Sequence, residues 1–174
     1  MNRFIKYFLI TFFLIFSTGL MAQEKIAILD LKYVLNQSKA GKSAQDFLKK
    51  SYADNVKKFN DIETSLKKEE ADLLSKKTVL SKEDYTKKTD TLRKKVIDFR
   101  SQRRAAMDKI TTQRSESRAT LIKSITPILE TYIKENGISV VINKVHTLGG
   151  NPENDITKVI VDKLDKVLPS LDLK

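Results

Sequence analysis

Leu92-Arg-Lys-Lys-Val96-Ile-Asp-Phe99-Arg-Ser-Gln-Arg103-Arg-Ala-Ala106-Met-Asp-Lys-Ile110 is the stretch that decides the fold. Its seam positions, Leu92, Val96, Phe99, Arg103, Ala106 and Ile110, step by 4, 3, 4, 3 and 4 residues, with one basic residue in an otherwise apolar row. A repeat averaging about 3.5 residues draws a narrow stripe along a helix, the mark of a coiled-coil seam. An ordinary amphipathic bundle helix would carry a broader one. The surroundings extend the pattern. Residues 42–126 contain neither glycine nor proline, the two strongest punctuators of helical structure.

Upstream, Leu48, Tyr52, Val56, Phe59, Ile62, Leu66 and Leu73 recur mostly at gaps of three and four and form a second seam. The pattern falters between Ser75 and Asp84, where Ser81 followed by Asp84 resembles a capping box with Asp in place of Glu. One helix is therefore expected to end near Lys77 and another to start near Lys82. A single unbroken helix would leave both seams in need of another chain, whereas a hairpin lets each arm cover the other. About 40 residues per arm, at roughly 1.5 Å each, gives a reach on the order of 60 Å.

The flanks have a different character. Lys25-Ile-Ala-Ile-Leu29 is a short β-branched run. Asn136-Gly137 reads as a helix stop, and Ile138-Ser-Val-Val-Ile142 after it has the same strand character. Val145-His-Thr-Leu148 also looks strand-like, and Gly149-Gly-Asn-Pro152 looks like a loop. Asn154 or Asp155 is expected to cap a last helix whose apolar face is Ile156, Val159, Ile160, Leu164 and Val167. An antiparallel hairpin brings residues 25–29 beside 138–142. The expected protein is mainly α with a small β part: a coiled-coil hairpin over 41–118, tip about 75–84, on a small α/β base from 23–40 and 119–174. That base has too few residues for a full core. Strands apolar on both faces therefore point to an oligomer sharing its sheets through Ile26, Ile28, Val140, Val141 and Ile142. Pro127 either kinks the helix joining arm to base or starts a new one with Thr126 as cap. The in-phase series Leu121, Ile125, Ile128 and Tyr132 favours the kink.

The start of the chain, with Arg3 and Lys6 before an apolar run from Tyr7 to Phe16, has the anatomy of a secretory signal peptide. Cleavage after Ala22 is expected; an uncleaved anchor is the alternative. Removing residues 1–22 takes away two cations and no acid, so the formal charge of +11 becomes +9. The chain has no cysteine, so neither disulfides nor a lipoprotein anchor can supply stability or attachment. The excess of lysine and arginine favours acidic partners. Export argues against nucleic acid, leaving acidic proteins, lipopolysaccharide or anionic lipid.

Taken in order, the leader, Lys25-Ile-Ala-Ile-Leu-Asp30, the basic helical middle, Gly137-Ile-Ser-Val-Val-Ile-Asn143 and Asn154-Asp-Ile-Thr157 resemble the OmpH/Skp family of periplasmic chaperones. That resemblance implies a homotrimer whose strands form a small barrel. It also implies three hairpins around a cavity that holds unfolded outer-membrane proteins. The tip Thr78-Val-Leu-Ser81 departs from it, lacking the glycine expected in a mobile tip. A family proposal of a lipopolysaccharide-binding basic cluster has no residue-by-residue counterpart here.

Residues 40–117 hold 20 Lys or Arg against 13 Asp or Glu. Such arms would attract negatively charged chains in a salt-sensitive way. Off the main seam, Phe47, Ile97 and Met107 are candidate client contacts, with Lys94, Lys95, Arg103 and Arg104 as candidate cations. Each apolar candidate has a plain alternative as a flanking core residue. An envelope adaptor that binds a folded partner would use the same periodicity, and a glycolipid binder the same charge. Enzymatic chemistry has little to stand on. His146 is the one histidine, no nucleotide-binding fingerprint occurs, and Glu69, Glu70 and Asp72 read as a solvated helix face. No cofactor is implied.

Overall fold

The computed structural model of the chain describes residues 24–173, so the expected leader at 1–22 lies outside the described residues. Strand β1 (Lys25–Leu29) is followed by helix α1 (Leu31–Gln37) and the long helices α2 (Lys39–Ser75) and α3 (Lys82–Asn136). Strand β2 (Ile138–Asn143) comes next, then 3-10 turns at Lys144–His146 and Pro152–Asn154, and finally helix α4 (Thr157–Val167). The protein is mainly α with a small β part. Helices α2 and α3 form the hairpin, and the remaining elements gather at its open end.

Short polar side chains set the boundaries. The Asp30 carboxylate accepts from the Tyr33 amide at 2.8 Å and opens α1. Ser38 closes α1 with its amide on the Val34 carbonyl at 3.2 Å, and opens α2 by accepting from the Gly41 amide at 3.2 Å. Ser38 is wholly buried, and this corner separates a helix that the seam pattern did not resolve. At the far end, Ser81 accepts from the Asp84 amide at 3.1 Å and donates its hydroxyl to Asp84 Oδ2 at 2.6 Å. In a full capping box the acid reaches back to the cap's own amide. Asp, a methylene shorter than Glu, meets the hydroxyl instead. Among the described residues no non-glycine residue has positive φ, so the tip closes without the glycine expected there. Gly137, at φ 61°, supplies the left-handed residue that ends α3.

Helix α3 runs unbroken through Pro127. Thr126 does not start a new helix: its hydroxyl donates to the Ile122 carbonyl at 3.0 Å, as an interior threonine does. Leu121 and Ile125 are buried and Ile128 and Tyr132 half-buried, so the apolar phase continues across the proline.

The two strands pair in parallel, with Ile26 opposite Val140, Ala27 opposite Val141, Ile28 opposite Ile142 and Leu29 opposite Asn143. Side chains alternate along a strand, so Ala27, Leu29 and Val141 share the inner face. Below them lies a core built from Val34 and Leu35 of α1, Ala40 of α2, Leu121 and Ile125 of α3, and Ile156, Ile160 and Leu164. Val34, Ile160 and Leu164 are wholly buried. One chain thus completes the core on this side, which the sequence reading, lacking α1, did not expect. The outer face of the sheet is only partly covered, with Ile26 and Val140 exposed.

Three further readings change. Val145-His-Thr-Leu148 is not strand-like: Lys144–His146 is a 3-10 turn, and Val145 and Leu148 are exposed. Of the expected apolar face of α4, Ile156, Ile160 and Leu164 are buried, but Val159 and Val167 are exposed, because the core meets only one narrow side of this short helix. Neither Asn154 nor Asp155 is the α4 cap: that position is Ile156, which makes no side-chain cap bond, while Asp155 just before it accepts from the Thr157 amide at 3.0 Å and from Lys144 Nζ at 2.7 Å. The Thr157 hydroxyl in turn accepts from the Asp30 amide at 2.8 Å, and the Ile156 amide donates to the Ile28 carbonyl at 2.9 Å.

Burial pushes the Asp155 carboxyl upward, but the bonds from Lys144 and Thr157 outweigh it and hold it below its ordinary value of 3.8. A depressed carboxylate stabilises the fold above its unfolded pKa, and that contribution fades as pH falls through the folded one. Thermal unfolding against pH should show the midpoint falling below about pH 4, and Asp155→Asn should flatten that acid limb. An unchanged limb would refute this role for the Asp155 carboxylate. Gly41 offers a second test, since a Cβ there would overlap the Leu35 carbonyl oxygen. Gly41→Ala should cost about 1–3 kcal/mol by forcing α1 and α2 apart, read as a lower denaturation midpoint.

Candidate functional site

The arms meet along the predicted seams, but unevenly. Phe59 of α2, 3% exposed, packs edge-on against Phe99 of α3 with ring centroids 6.0 Å apart and planes at 65°. Leu73 and Leu92 are buried towards the tip, and Leu48 and Ile110 towards the base. Between Phe59 and Leu73, Ile62 and Leu66 are only half-buried. Tyr52, expected in the seam, is 54% exposed. Arg103 occupies a seam position yet points its charge to solvent, and Ala106 is too short to fill the space beside it. Nearer the base the contact turns polar, with Gln113 and Ser117 buried.

Where the seam is thin, a groove of about 810 Å³ opens along the hairpin. Leu66, Lys67, Glu63 and Glu70 of α2 line one side. The other side is α3, with Leu92, Val96, Phe99 and Met107 as apolar floor and Arg93, Arg100, Arg103 and Arg104 as cationic rim. Five cations thus face two carboxylates. Glu63 is already engaged: Lys67 Nζ lies 2.8 Å away. The Lys67 hydrogen bond, then its charge, and more weakly the Arg103 charge hold the Glu63 carboxyl below its ordinary range. Arg93 is tied to Asp90 at 2.8 Å and Arg104 loosely to Asp108 at 3.8 Å. The groove can offer guanidinium donors to carboxylates and carbonyls above an apolar surface.

Arg103, Arg104 and Met107 are brought together here, with Met107 half-buried. Lys95 is instead a cross-arm clamp, with Nζ 2.7 Å from Glu69 Oε1. Glu69 is therefore a structural partner rather than part of a merely solvated face. Lys94 is exposed, and Ile97, 59% exposed, lies on α3 outside the groove lining. Phe47, 37% exposed, sits at the base end of α2, away from the others. Sequence reasoning missed Arg93 and Arg100. The signal was a second stripe, 93, 96, 100, 103 and 107, beside the seam it had found.

Of the candidate base residues, Ile26 and Val140 are 44% and 48% exposed on the outer sheet face. Ile28 and Ile142 share that face but are half-buried; a Cβ on Gly150 would approach Ile28 Cδ1 to 2.8 Å, so the 149–150 loop lies over Ile28. Val141 turns to the inner side and packs against the core. Among the described residues no three His, Cys, Asp or Glu side chains converge as a metal-binding set. No helix among them is long and apolar enough to cross a membrane.

A basic helical hairpin on a two-stranded α/β base, grooved along its arms, defines the class. The profile of the OmpH family, described as outer membrane protein (OmpH-like), matches residues 25–164, and the chain belongs to that family. It is 23% identical over 171 residues to a Skp-like protein of Pseudomonas aeruginosa, a match covering 96% of this chain and 99% of that one. The crystal structure of an OmpH-like protein from Caulobacter crescentus superposes with a TM-score of 0.80 at 18% identity, covering 87% of this chain and 89% of the other.

The uneven seam makes a quantitative expectation. Phe59→Ala should destabilise the hairpin by about 3 kcal/mol or more. Lys95→Ala, which removes an exposed ion pair, should cost less than about 1 kcal/mol. Chemical unfolding of both variants checks the order, and equal losses would contradict it.

Proposed function

We propose that this protein is an ATP-independent periplasmic holding chaperone that binds unfolded outer-membrane proteins and keeps them from aggregating. The observation that carries the reading is the mid-arm groove, where Phe99 and Met107 are left reachable beneath four arginines. Unfolded chains present carboxylates, carbonyls and apolar side chains together, and this surface offers a partner to each. The Caulobacter relative is described as a candidate outer membrane chaperone, which agrees with that role. The leader at 1–22, cleaved after Ala22, would deliver the chain to the periplasm.

Holding a long client with shallow contacts requires several arms at once. The base supports such an assembly. Among the described residues β2 pairs only with β1, leaving its other edge free, and Ile26 and Val140 stand exposed on the outer sheet face. A homotrimer joined there by the base segments 23–40 and 119–174 would set three hairpins, residues 41–118, around a shared space. Phe47 and Ile97 then serve as outlying client contacts, with Lys94 adding charge. A second reading, binding of anionic glycolipid, draws on the tip. Val79 and Leu74 are 83% and 58% exposed there, among Lys76, Lys77 and Lys82.

Diluting a denatured outer-membrane barrel protein out of urea into the purified chaperone should suppress light scattering by aggregates. Arg100→Glu combined with Arg103→Glu should slow capture about tenfold, and added salt should slow the wild type in the same direction. No suppression at equimolar trimer would reject the holding role, and salt-independent capture would reject the electrostatic part. Static light scattering should give the mass of a trimer; a monomer would remove the shared space. Sedimentation with lipopolysaccharide separates the second reading from the first.

A further inference from the structure

A different groove, of about 740 Å³, runs along the outside of the base between α3 and α4. Lys123, Pro127 and Ile128 of α3 face Lys163, Lys166 and Val167 of α4 across it, and no acidic residue lines it. The acids of α4 are committed elsewhere: Asp165 accepts from the Lys39 amide at 2.7 Å, and Asp162 faces a separate cleft beside Lys158. Lys163 leans over the Tyr132 ring at 5.7 Å and reaches Glu135 only at 3.9 Å. Among the described residues Lys123 and Lys166 have no ion-pair partner. Val167, the apolar wall, is 67% exposed.

Pro127 adds to the apolar lining. Its ring replaces an N–H and stands in the groove lining as rigid apolar surface. An extended peptide laid along the groove would meet Pro127, Ile128 and Val167 as its floor. Three ammonium groups around an apolar floor then select what that peptide carries: carboxylates interspersed with apolar side chains. Lys166 also complements the C-terminal dipole of α4, but that role accounts neither for Lys123 nor for the exposed Val167.

We propose that the groove between α3 and α4 docks an extended acidic–apolar segment of a partner protein, at a site separate from the arms. The binding needs no unfolded client and goes beyond the holding role. A chain carrying cargo in its arms could thereby be recognised at its base by a folded partner that displays such a segment.

A fluorescein-labelled synthetic peptide alternating Glu and Leu serves as probe, with a Lys–Leu peptide as control. Fluorescence anisotropy should show the acidic probe binding the wild type and the control failing to bind. In protein already carrying Arg100→Glu and Arg103→Glu, which removes whatever share of the probe the arms hold, the probe should still bind, and adding Lys123→Glu with Lys166→Glu should weaken that binding by about tenfold or more, a loss of roughly 1.4 kcal/mol or more. Loss of binding in the arm variant alone would assign the probe to the arms and overturn the proposal, as would equal binding of both peptides or none by the wild type. A changed oligomeric mass in the base variant would also overturn it, by assigning the groove to a second copy of the chain. Failure of the holding role would appear in aggregation assays, leaving this readout untouched.

Discussion

The parallel ladder between Ile26–Leu29 and Val140–Asn143 is the contact on which the rest depends, because it joins two segments more than a hundred residues apart. Closing a flexible loop of that length would cost about 4 kcal/mol, before any constant term. The hairpin removes much of this cost. Once α2 and α3 lie against each other, Gly41 and Ala44 of α2 stand level with Ser117 and Leu121 of α3, and α1 with the last turns of α3 carries the two strands the rest of the way. The ladder is then reinforced at short range. The Ile156 amide donates to the Ile28 carbonyl, and the Asp30 amide to Thr157, so α4 is tied to the same strand from the other side. Folding of the base and pairing of the arms are thus coupled, although they share few residues.

Much of this was legible in the residues. The seam period, the gap between Ser75 and Asp84 and the Gly137 stop located both long helices to within a few positions, because caps and periodicity are local properties. Helix α1 was not legible. Its seven residues are too few to draw a period, and the serine that ends it also starts α2, so the break shows no glycine or proline. Without α1 the base looked too small for a core. Val34 and Leu35 supply what was missing.

The groove on the arms was half legible. Met107, Arg103 and Arg104 stood out by type, but Lys95 has the same type and turned out to clamp Glu69. Composition cannot distinguish a free lysine from one held across a hairpin, since the difference lies in register between arms. Nor could composition show that Phe99, counted as seam, also floors an open groove. One side chain does both because a two-helix seam covers only part of each residue it contains.

That last property leaves apolar surface open along the arms. A hairpin with large apolar residues at every seam position would bury them and leave its outer surface polar. Here Arg103 and Ala106 interrupt the row, so Leu66, Val96 and Met107 are packed on one side and reachable from the other. The neighbouring arginines discourage two arms of the same charge from closing over each other's grooves, at a cost of like-charge repulsion that grows as salt falls. A partner of opposite charge meets no such barrier. The interrupted seam therefore gives up some hairpin stability for apolar surface that like-charged arms cannot easily cover, and the buried core at the base adds what the seam lacks.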